Sequence, residues 1–91
     1  MNRRNPLPSP PNITIRVSGK LFQGHLAYLD QLVQSAIDCQ LWPVLSLAQL
    51  EEIDRSALFY LIDGETRDFG IVSCPNFIRD WMEHERERAA A

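Results

Sequence analysis

The chain has 91 residues, 45% of them apolar, and a formal charge of -3. That is enough for one domain able to fold alone, and too little for an active site enclosed between two lobes. The slight acidity and the lack of a concentrated basic face exclude nucleic acid as the expected partner, and no apolar run approaches the ~18 residues of a membrane span.

In chain order, residues 1–12 carry Pro6, Pro8, Pro10 and Pro11. Proline fixes φ and removes a backbone donor, so this stretch reads as an extended or flexible leader. It has no apolar signal core, which with the composition points to a cytoplasmic protein. Residues 13–18 alternate apolar and polar, with Ile13, Ile15 and Val17 on one face, a strand signature. Gly19 is expected to close that strand. Leu26, Leu29, Val33, Ala36 and Ile37 recur at helical spacing and predict an amphipathic helix over about 25–39. The apolar run 42–47 reads as a buried strand with Pro43 at its start.

A connecting segment, Ala48 to Ile53, leads to Asp54. Asp54 or Ser56 is placed to cap a second helix, with Leu58, Leu61 and Ile62 on its inner face and Gly64 weakening its later turns. Residues 70–74 read as a third short strand. Pro75 suits the first position of a last helix, whose buried stripe is Phe77, Ile78, Trp81 and Met82. The charged run 83–88 reads as a solvated helix face. The resulting order, β-α-β-α-β-α, implies an α/β domain with a mostly parallel sheet of three to four strands and right-handed crossovers.

No catalytic constellation is visible. His25, Cys39, Cys74 and His84 have no zinc-site spacing, so no metal is expected. The two cysteines make no C-x-x-C and read as reduced, buried small side chains. Glu51, Glu52 and Asp54 supply carboxylates but no cleft. The four glycines are dispersed and form no phosphate-cradling loop. The expectation is a binding protein, with no enzyme activity and no cofactor.

The most informative segment is Ile53-Asp54-Arg55-Ser56-Ala57-Leu58, at a helix start with its partial positive charge and free N–H groups. Together with Val17-Ser18-Gly19-Lys20-Leu21, Leu45-Ser46-Leu47 and Ile71-Val72-Ser73-Cys74-Pro75, it resembles the STAS domain family of bacterial anti-sigma-factor antagonists. The resemblance spans residues 13–82 and implies a STAS-like domain over 13–91 after the leader. It also implies a regulatory protein that binds an anti-sigma factor or serine-kinase-like partner through Asp54, Arg55, Ser56, Ala57, Phe59 and Tyr60.

In that family the serine directly after the aspartate is phosphorylated to end binding. Here Arg55 stands in its place, Ala57 replaces the family glycine, and Ser46 replaces the aspartate of the central strand. The implied module lacks the usual phosphoswitch, and Ser56 is the remaining candidate for phosphorylation. An alternative the resemblance also implies is an accessory subunit of a lipid-trafficking ABC transporter, bound to the ATPase. Tyr60 is expected to point away from the core and offer an aromatic anchor. The family commonly begins with a further strand. The prolines argue against one here, which leaves a sheet edge open and predicts a homodimer.

Overall fold

The computed structural model describes residues 10–90. Three strands form one sheet in the order β1-β2-β3, all parallel: β1 is Asn12–Leu21, β2 is Trp42–Ile53 and β3 is Gly70–Val72. Helices α1 (Leu26–Asp38), α2 (Arg55–Gly64) and α3 (Asn76–Ala90) follow the strands in turn, and a short 3-10 turn, Gln23–His25, leads into α1. The expected α/β order is what the chain adopts. Most of the proposed leader lies outside the described residues. Its last residues are ordered: the Pro11 carbonyl accepts a bond from Trp42 N at 2.7 Å, and Asn12 already belongs to β1.

Because strands adjacent in sequence are adjacent in the sheet, right-handed crossovers put the helices on one face. The alternation of β1 agrees with this: Thr14, Arg16, Ser18 and Lys20 are exposed, while Ile15, Val17 and Leu21 turn toward the helices. Parallel sheets are usually covered on both sides. This one is covered on one side; its other side carries Thr14, Arg16, Ser18 and Ser46 next to the apolar Trp42, Val44 and Val72. The core lies between, formed by Leu45, Leu47 and Leu50 of β2, Leu29 and Val33 of α1, Leu58 and Leu61 of α2, and Ile78 and Met82 of α3.

Two strands run longer than expected. β1 does not stop at Gly19; the glycine sits inside it at φ 73, a conformation that suits a residue without Cβ. β2 does not stop at Leu47 either, and the segment 48–53 continues to pair with β1. Two register shifts fall along this pairing, each adding a residue on the β2 side, as β-bulges do. Leu47, Leu50 and Ile53 therefore reach the helix face at intervals of three residues instead of two. β3 is shorter than expected and ends at Val72.

Helix α1 ends in a Schellman turn. Gln40 takes φ 62, its N–H bonds Ile37 O, and Leu41 N bonds Ala36 O, each at 2.9 Å, which satisfies carbonyls the helix leaves open. Cys39, expected to be buried, is exposed at this end, and Cys74 is half-buried; both are free thiols. Burial pushes the Cys74 thiol up. Helix α2 stops at Gly64, whose carbonyl accepts the N–H groups of Arg67, Asp68 and Phe69. This tight turn lays the fully buried Phe69 ring against Gly64, where a Cβ would collide with it. α3 begins one residue after Pro75, whose carbonyl accepts from Ile78 N and Arg79 N.

Candidate functional site

The segment singled out in the sequence lies at the junction of β2 and α2. Asp54 is in the extended conformation that precedes a helix, and both its carboxylate oxygens are engaged. Oδ1 accepts from Ala57 N at 2.8 Å, capping α2, and Oδ2 accepts from Gln23 N at 2.9 Å, tying in the turn after β1. Its own N–H bonds Leu21 O at 3.2 Å. Asp54 thus fixes where α2 begins relative to β1.

The six predicted contact residues divide into two groups. Arg55, Ser56 and Phe59 are exposed. Their order along α2 puts Arg55 and Phe59 one turn apart, and the Arg55 guanidinium carbon stands 5.2 Å from the Phe59 ring centroid, a cation–π arrangement. Ala57 is fully buried beneath them, so its methyl packs the helix down and presents nothing outward. Tyr60 does not point away from the core as expected. It is half-buried, stacks on Phe69 at 5.6 Å between centroids, and donates its hydroxyl to Asp30 Oδ1 at 3.0 Å. Burial, the hydrogen bond and the charge of Asp30 all raise the Tyr60 pKa. A buried hydroxyl needs such a partner, and Asp30 on α1 supplies one.

The structure adds a residue that the sequence reading missed. Glu85, read as part of a solvated charged face, is 6% exposed. It lies under Arg55 on the adjoining face of α3. Trp81 Nε1 donates to its Oε2 at 3.2 Å, Arg55 Nη2 stands 3.4 Å from Oε1, and Arg88 Nη1 stands 3.7 Å from Oε2. Burial alone would raise the pKa of this carboxyl. The Trp81 hydrogen bond and the charges of Arg55 and Arg88 outweigh it and hold the group below the usual range. The signal was present in the spacing: Glu85 follows Ile78 by seven residues and Trp81 by four, on the apolar stripe of α3.

Arg55, Phe59, Glu85, Arg88 and Ala89 line a shallow hollow of ≈ 250 Å³. Its rim is two guanidiniums and a phenyl ring, and its floor is a carboxylate already paired. That chemistry suits a protein surface carrying a carboxylate beside an apolar side chain. Among the described residues, no three His, Cys, Asp or Glu side chains converge as a metal site, and no helix is long and apolar enough to cross a membrane. Comparison with family models, with characterised proteins and with solved structures finds no match to this chain.

Proposed function

We propose that this chain is a regulatory protein-binding module of the anti-sigma-factor-antagonist kind. In this reading it engages an anti-sigma or serine-kinase-like partner through the start of α2 and the adjoining face of α3. The observation that carries the reading is the exposed pair Arg55–Phe59, set beside Ser56 on a helix start that Asp54 has already capped. An aromatic and an arginine held together at low conformational freedom form the kind of anchor that dominates protein interfaces. Catalysis finds less support here, because the polar groups of the region are spent on one another: Asp54 on two backbone amides, Glu85 on three side chains.

The phosphate logic of the resembling family changes with Arg55 in the acceptor position. Residue 55 has no hydroxyl to modify. Ser56 stands in the first turn of α2, where a phosphate would meet the positive helix end and the neighbouring guanidinium. Phosphorylation of Ser56 would therefore draw Arg55 away from Phe59 instead of setting like charges against each other.

The test is a titration of the purified chain against a candidate kinase-like anti-sigma protein from the same cells. Charge reversal at Arg55 would set a second carboxylate against Glu85, so Arg55→Gln is the cleaner variant. Arg55→Gln and Phe59→Ala should each weaken binding by about tenfold or more. Unchanged affinity for both overturns the assignment of this surface. Tight binding to a transporter ATPase, and none to the kinase-like protein, would replace the partner.

A further inference from the structure

β1 is an edge strand with nothing on its outer side among the described residues. Strand geometry shows which of its backbone groups are free. The carbonyls of Pro11 and Leu21 face β2, accepting from Trp42 N and Asp54 N. Successive residues point their N–H and C=O groups to opposite sides, so the odd-numbered residues bond β2. The N–H and C=O groups of Asn12, Thr14, Arg16 and Ser18 face outward. The bulges lie on β2 and not on β1, which leaves 12–18 a regular strand up to the positive φ of Gly19.

Beside this edge runs a mainly apolar groove of ≈ 270 Å³ between β1 and α1, where Ile15, Val17, Leu32 and the exposed Tyr28 stand beside Lys20 and His25. Ile13 continues it and is 41% exposed. An edge of this length with unpaired ladder groups and a flanking apolar strip is a template for another strand.

We propose that the occupant is β1 of a second copy, paired antiparallel about a two-fold axis at Ile15. The inference is independent of the partner surface on α2. Three observations select it. First, a centre at Ile15 pairs the whole regular stretch with itself: Asn12 meets Ser18 and Thr14 meets Arg16 of the copy. All four are residues whose backbone groups face outward, as a hydrogen-bonded antiparallel pair requires. Second, Ile15 then meets Ile15 and Ile13 meets Val17 as the closer, non-hydrogen-bonded pairs, on the helix side, where Tyr28 and Leu32 of both copies flank them.

Third, registers shifted toward the C-terminal end of β1 are worse. A centre at Arg16 sets two guanidiniums directly opposite each other, which is destabilising. A centre at Val17 draws Gly19 and its positive φ into the ladder. The chain's own first nine residues are a poor substitute, because Pro6 and Pro8 lack the N–H groups a ladder needs. The product is a continuous six-stranded sheet with the isoleucine and valine side chains buried at its centre.

Sedimentation of the full chain at rising concentration tests this, with Thr14→Pro and Ile13→Lys as the variants. Thr14 donates to no bond inside the chain in this arrangement, so Thr14→Pro removes only an outward N–H. Ile13→Lys alters an exposed side chain. The wild type should reach twice the mass of one chain, and both variants should stay at one, with unchanged far-ultraviolet circular dichroism. If Thr14→Pro does not fold, Ile13→Lys decides. A wild type that stays monomeric overturns the proposal, and so do variants that dimerise like the wild type. In a background with both native cysteines changed to serine, Ile15→Cys should cross-link to itself under mild oxidation, and failure to do so in a dimer rejects the register.

Discussion

The two ends of α2 are built from similar parts and put to opposite use. At each end a carboxylate with little exposure is flanked by two arginines. At the C-terminal end Glu65 is gripped: Arg79 Nη1 stands 3.1 and 3.2 Å from its two oxygens, and Arg86 Nη2 stands 2.7 Å from one of them. At the N-terminal end the arginines around Glu85 stand at 3.4 and 3.7 Å. Their side chains are 58% and 62% exposed, against 33% and 42% for the pair on Glu65. Short contacts hold an element in place; long, exposed ones leave a guanidinium available to a partner. The first end therefore locks α2 to α3, and the second displays a surface.

Perturbing the locked end should produce the largest losses of stability. Phe69→Ala empties a fully buried site beneath Tyr60 and should cost about 3–5 kcal/mol in chemical denaturation. Gly64→Ala forces a methyl into that ring and should cost about 1–3 kcal/mol, with Phe69 displaced. Glu65→Gln should lower stability in a pH-dependent way. Burial raises the Glu65 pKa, but the hydrogen bonds and charges of Arg79 and Arg86 prevail and lower it below its ordinary 4.5. A carboxyl with a depressed folded pKa stabilises above its unfolded value and loses that contribution as pH falls through the folded one. The melting difference between wild type and Glu65→Gln should thus be full at neutral pH and shrink in acid below about 4.5. A constant difference would mean that the ion pairs do not hold this end.

The open end should respond less in stability. Asp54→Ala removes a helix cap and should cost about 1 kcal/mol, within the 0.5–2 range of such changes, with looser packing of the Gln23 turn. Arg55→Gln should have the smallest effect on melting, because Glu85 keeps Trp81 and Arg88. A large drop for Arg55→Gln would erase the contrast between the ends and make the N-terminal network structural.

The order of elements was legible because each strand and helix core keeps its own period: alternation at 13–17, helical spacing at 26–37, and the stripe Ile78, Trp81, Met82, although Phe77, expected on that stripe, is 50% exposed. The second half of β2 was not. Its inward residues Leu47, Leu50 and Ile53 are three apart because each bulge inserts a residue, so neither a strand nor a helix period fits. Gly19 read as a terminator, since nothing local distinguishes a glycine that ends a strand from one that turns within it.

At the site, Asp54 was legible as one of two candidate caps, and Arg55 and Phe59 entered as contact residues only through the family resemblance. Tyr60 was misplaced because its orientation depends on Asp30, thirty residues away in the chain, and on the Phe69 ring. Glu85 was hidden by its neighbours: a charge within a charged run reads as solvated unless its place on the apolar stripe is weighed first. Pairs set by tertiary contact leave no local pattern.

The central claim is that the N-terminal end of α2 is the contact surface and the C-terminal end is not. The most direct measurement compares the affinity of one partner protein for Arg55→Gln, Phe59→Ala and Arg67→Gln, the last an exposed arginine near the closed end. The account predicts a loss of about tenfold or more for the first two and an unchanged affinity for the third. Equal losses at both ends, or no loss at Arg55 and Phe59, would contradict it.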